Sequence, residues 1–144
     1  MKQENISTIT VSVCVNATIE QVWTMMNEAT HITKWYAAST DWHAPTATND
    51  FIVGGRSNIR MEAKDGSFGF NFEWTYTNII PLQQVDYILD DGRKVFITYQ
   101  ITEAGILVTE TFDPENENSY ELQQMGWQSI LTNFKQYVES HLNP

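Results

Sequence analysis

The sequence predicts an α+β domain: a curved antiparallel sheet of six to seven strands, a long C-terminal helix against one face, and two short helices after the first strand. Three observations lead there. FGFNFEWTY, Phe68 to Tyr76, places an aromatic ring at every second position, the period of a strand with one apolar face. Further runs of period two are joined by turn signals, KDG at Lys64 to Gly66 and DDG at Asp90 to Gly92, which make antiparallel neighbours. Finally, the C-terminal segment repeats apolar residues every three or four positions, the period of one long helix.

In ITVSVCVN, Ile9, Val11, Val13 and Val15 alternate with polar neighbours, so a first strand buries one face and turns Cys14 the other way. Thr18, with Gln21 three residues on, signals a helix N-terminus, and Ile19, Val22, Trp23 and Met26 give that helix an apolar side. ATHITKWY predicts a second short helix carrying His31 and Trp35 on one side. Between Asp41 and Gly55 the turn formers Pro45, Asn49, Asp50, Gly54 and Gly55 predict a short strand, Thr40 to Ala44, followed by a loop.

Ile59, Met61 and Ala63 define the strand before the aromatic one, and Pro81 ends the latter. Val85, Tyr87 and Leu89 form the next, then Val95, Ile97, Tyr99 and Ile101, and after Gly105 the strand ILVTETF. Beyond Pro114, Asn118 and Glu121 read as a capping signal, and Trp127, Ile130, Leu131, Phe134, Tyr137 and Val138 form the buried stripe of the long helix.

The 144 residues make one domain, 1–144, long enough to bury a core without disulfides or metal. Hydrophobic residues at 42% and charged residues at 18% exclude a disordered chain, and no apolar run is long enough for membrane insertion. A start without an apolar signal core and a single cysteine, Cys14, point to the cytoplasm. The formal charge of −10 argues against nucleic acid as a partner.

Five aromatic rings on one strand face either pack solidly or line a hollow. A single helix laid along a curled sheet fills only part of the concavity, which leaves room near one end. Gly126 inside the long helix costs about 1 kcal/mol relative to alanine and predicts close approach of another group, strand or ligand.

VGGRSNIRMEAKDGSFGFNFEWTY, DDGRKVFITYQ, VTETFDPENENS and GWQSILTNFKQYVE, with the opening VWTMMNEATHITKWY, resemble the bacterial single-domain relatives of the activator of the heat-shock protein ninety ATPase. These belong to the START-related, birch-pollen-allergen-like superfamily often labelled SRPBCC. The resemblance implies the helix-grip fold, in which a curved sheet grips the C-terminal helix around an apolar cavity. It also implies a stress-response setting and, as a possible partner, a heat-shock chaperone. Superfamily members span lipid carriers, receptors, cyclases and a co-chaperone, so fold alone does not name an activity.

Chemistry-bearing residues are sparse. His31, His43 and His141 share no metal-ligand spacing, no cofactor fingerprint occurs, and Gly54-Gly55-Arg56 reads as a turn or bulge. Glu110 stands out, because in ILVTETF it shares a parity with Ile106, Val108 and Phe112 and is aimed at the core. A carboxylate there is either paired, with Arg56 or Arg60 as candidates, or holds a raised pKa and serves as an acid or ligand anchor.

The expectation for function is binding of a hydrophobic small molecule, lipid-like or polycyclic, between sheet and helix. Contacts are expected from Phe70, Phe72, Trp74, Tyr99, Trp127 and Leu131, with Glu110 as polar anchor. Two alternatives stand beside it: a co-chaperone-like regulator or interaction module, and a cavity enzyme of cyclase or hydrolase type with Glu110 or His43 as acid/base. A monomer and a homodimer are both open.

Overall fold

The alternating valines of ITVSVCV form β1 (Ile9–Val15) in the computed structural model, which describes residues 7–141. Thr18 then closes a capping box. Its hydroxyl accepts from the Gln21 N–H at 3.1 Å while its own N–H donates to the Gln21 side chain at 2.9 Å. The helix that starts there, α1 (Ile19–Asn27), leads through the extended residue Glu28 directly into α2 (Ala29–Trp35).

Six strands follow: β2 (Trp42–Asn49), β3 (Arg56–Ala63), β4 (Gly69–Ile80), β5 (Gln84–Leu89), β6 (Lys94–Thr102) and β7 (Gly105–Phe112). All pairings are antiparallel, in the order β1-β7-β6-β5-β4-β3-β2, and the sheet curls into a half-barrel. The long helix α3 (Tyr120–His141) buries Leu131, Phe134 and Val138 among the inward side chains of the sheet. Leu142, the last residue of the segment expected to form this helix, lies outside the described residues.

Several details differ from the sequence reading. The strand expected at Thr40 to Ala44 begins at Trp42 and runs on to Asn49, past Pro45. Proline is tolerated because β2 is an edge strand and its register slips between His43 and Thr46. The aromatic face of β4 is buried only in part. Trp74 and Tyr76 are 4% and 3% exposed, but Phe70 is 41% and Phe68 61% exposed, so the cover over β4 stops short of its N-terminal end. Ile101, expected inside, is exposed near the β6–β7 turn.

The N-cap of α3 is Ser119, whose hydroxyl accepts from the Leu122 N–H at 3.1 Å; the Asn118 side chain is taken up by the Glu115 carboxylate. Among the described residues no group closes on Gly126. A methyl placed there meets nothing within 4 Å, so its flank of α3 is open.

Candidate functional site

Strand alternation places Glu110 between Val108 and Phe112, both fully buried, and next to Val11 of β1 and Ile97 of β6. Its side chain opens on a hollow in two parts. The outer chamber, about 180 Å³, is lined by Tyr36, Met61, Phe70, Phe72, Glu110, Trp127 and Ile130. The inner one, about 30 Å³, is framed by Tyr36 and Glu110 again, with Met26, Asn27, Trp74, Tyr76 and Tyr87 among its other walls. Glu110 and Tyr36 thus stand at the junction. The inner space suits one or two water molecules, and the outer is large enough for a single aromatic ring, which a cavity of about 150 Å³ accommodates.

Ring contacts hold the walls. Trp127 stacks on Phe112 at 3.8 Å with an interplanar angle of 11°, and Phe72 meets Trp127 edge to face at 6.4 Å. Tyr36, just past α2, lies 6.3 Å from Phe72, while Trp74 stacks on Tyr87 at 4.2 Å. The indole N–H of Trp74 is buried without a protein acceptor.

Glu110 is unpaired. Neither arginine offered by the sequence reaches it: Arg56 grips Asp90 at 2.9 Å and Glu73 at 3.2 Å, and Arg60 binds Glu62 at 2.9 Å. Among the described residues no group is within hydrogen-bond or ion-pair distance of the Glu110 carboxyl, and burial alone pushes its pKa up to about 8. Tyr36, Tyr87 and Tyr99 also have raised pKa values, from burial first; the nearby Glu110 charge adds to each, behind Tyr36 in the case of Tyr87. The group at the junction is therefore a mostly protonated acid at neutral pH, ringed by neutral phenols.

The family described as Activator of Hsp90 ATPase homolog 1-like protein matches residues 16–139. The chain belongs to that family. The AHSA1-like protein from Aeromonas hydrophila is 41% identical, with 93% of each chain covered and a TM-score of 0.88. A protein from Cytophaga hutchinsonii is 47% identical over 94% of each chain, TM-score 0.80. The fold extends further: protein NE0264 from Nitrosomonas europaea superposes with a TM-score of 0.82 over 99% of this chain and 100% of its own, at 13% identity. No curated protein matches the chain.

For this Activator of Hsp90 ATPase homolog 1-like chain, the residues singled out from sequence divide into three groups. Phe70, Phe72, Glu110 and Trp127 come together around the outer chamber, and Trp74 reaches the inner one. Tyr99 and Leu131 lie outside both linings. Tyr99 donates to the Met26 sulfur at 3.0 Å and packs on Trp23, and Leu131 is 1% exposed in the core. His43 sits in a separate groove with Trp42, Lys64 and Asn133, so it forms no acid/base pair with Glu110. His31 is engaged by the Tyr137 hydroxyl at 2.6 Å.

Tyr36, Met61 and Ile130 complete the outer chamber and were not read from sequence as site residues. Met61 and Ile130 carried the right periodicity but only as core positions; Tyr36, at the end of the ATHITKWY helix, carried no signal of its own. Among the described residues no helix is long and apolar enough to cross a membrane.

Proposed function

We propose that this protein binds a small hydrophobic molecule in the outer chamber, with Glu110 as its polar anchor. The observation that carries the reading is a carboxyl left without any partner where an apolar, aromatic-walled chamber begins. Buried polar groups normally find a partner, and a ligand is the economical source of one. The volume favours a compact molecule with one ring; a lipid chain or fused rings would need the walls to move apart, since ligand pockets ordinarily start near ~300 Å³. The single free thiol, Cys14, supports a reducing compartment such as the cytoplasm.

Methyl NMR tests this directly. Titration with toluene is expected to shift the Met61 and Ile130 methyl signals selectively, and Ile130→Trp, which fills the chamber, is expected to abolish the response in a folded protein. Shifts that are absent, or scattered evenly over the core, would end the reading.

A second reading, an interaction module of the co-chaperone kind, has one observation in its favour. Phe68 and Phe70 are exposed and cluster with Trp42, at ring separations of 6.0–6.2 Å, beside the outer chamber. Phe68→Ser weakening capture of a heat-shock chaperone, with ligand binding intact, would speak for it.

A further inference from the structure

If the outer chamber takes a small hydrophobic molecule, its lining narrows the chemical class. Among the described residues lysine, arginine and histidine are absent from its lining, and its polar groups are the Glu110 carboxyl and the Tyr36 hydroxyl, neither with a hydrogen-bond partner, and the indole N–H of Trp127. A wholly apolar guest would bury Glu110 more deeply and still leave it alone. An anionic guest would find no lysine, arginine or histidine on the walls to offset the loss of its own hydration. A neutral hydrogen-bond acceptor would take one hydrogen bond, from the protonated carboxyl, Tyr36 or the Trp127 indole, and would not draw on the charge that Glu110 can carry. A cation supplies what is missing, because it pairs with the carboxylate in a chamber lined by the aromatic rings of Phe70, Phe72 and Trp127, a setting that favours positive charge. The net charge of −10 draws cations toward the protein in the first place.

We propose that the ligand of this chamber is a small hydrophobic amine, held as its ammonium ion against Glu110 with its apolar body on Phe70, Phe72 and Trp127. The proposal rests on the preceding reading of the chamber. It carries a proton balance: the ammonium ion enters with its charge, the Glu110 carboxyl gives up its proton to solvent, and the complex holds a carboxylate–ammonium pair. The titratable groups around Glu110 are the phenols of Tyr36, Tyr87 on β5 and Tyr99 on β6, all kept neutral by burial. Burial is the sole cause of the Glu110 shift, so no basic group on β1, α1 or α3 competes for it.

Isothermal titration calorimetry with benzylamine and with the near-isosteric benzyl alcohol decides the matter. It is run at neutral pH in about 0.3 M salt to suppress surface attraction, in two buffers of different ionisation heat. Benzylamine is expected to bind about tenfold or more tightly than benzyl alcohol and to release nearly a full proton, and Glu110→Gln is expected to lose both the preference and the proton. Benzyl alcohol binding as tightly as benzylamine, amine binding without proton release, or a preference that survives Glu110→Gln would each overturn the assignment while leaving a chamber for neutral guests. Should the variant fail to fold, the affinity ratio and the proton count on the unsubstituted chain decide alone. Binding of neither compound would bring down the chamber reading and this inference together.

Discussion

Lys135 donates from its ammonium group to the backbone carbonyl of Cys14 at 2.6 Å, joining the last helix to the first strand. It does not act alone. Gln124 and Gln128 donate to the carbonyls of Thr10 and Ser12 at 3.4 and 3.0 Å, and the Asn16 N–H donates to the Glu139 carboxylate at 2.8 Å. Thr10, Ser12 and Cys14 are alternate residues of an edge strand, so these side chains occupy the row of backbone acceptors that would otherwise be open to another sheet.

Removing that cover should make the protein associate with itself. The double substitution Gln128→Ala, Lys135→Ala is expected to cost about 1–3 kcal/mol of stability, from the two lost hydrogen bonds to β1 together with the Gln128–Thr132 bond and the Lys135–Glu139 ion pair. It should also shift the sedimentation coefficient upward with concentration relative to the unsubstituted chain; an unchanged profile would show that the edge needs no such protection.

Glu110 gives stability a definite pH dependence. Its pKa is raised in the folded chain from an ordinary 4.5 to about 8, so the folded state binds the proton more tightly than the unfolded one. Stability from this source is full below about pH 4.5, falls as pH rises toward about 8, and levels off above, where both states are ionised. Glu110→Gln removes the slope. Urea unfolding between about pH 5 and pH 9 should show wild type losing on the order of a few kcal/mol relative to the variant.

Gly126→Ala should stabilise the protein. The position is inside α3, and a methyl there meets nothing within 4 Å. The gain expected is about 0.5–1 kcal/mol, a rise in Tm of roughly 2–4 °C by calorimetry. A lower Tm would mean that the open flank serves something the added methyl obstructs.

Phe134→Ala should be among the costliest single changes. The ring is fully buried and meets Trp35 edge to face at 4.8 Å, joining α3 to α2. A loss of about 3–5 kcal/mol in urea unfolding is expected. Less than about 1 kcal/mol would mean that the helices close over the cavity.

What the sequence determined by itself is whatever depends on neighbours along the chain. Periods of two and of three to four placed the strands and helices of an α+β domain, the Thr18–Gln21 box marked the start of α1, and the parity of ILVTETF aimed Glu110 inward, because side-chain direction is set by local backbone geometry. The tertiary structure alone decided which inward side chains met a partner and which met space. Parity could not say that Arg56 would be held by Asp90 and Arg60 by Glu62, leaving Glu110 unpaired, nor that Tyr36, distant in sequence from Phe72 and Trp127, would close the chamber with them. Nor could it show that the cover over β4 ends before Phe70, or that nothing approaches Gly126. The bare end of β4 and the open flank at Gly126 follow from how far α3 reaches across a curled sheet. The loss of Arg56 to other acids follows from where the strands bring Asp90 and Glu73 to it; neither distance is encoded in the alternation around Glu110.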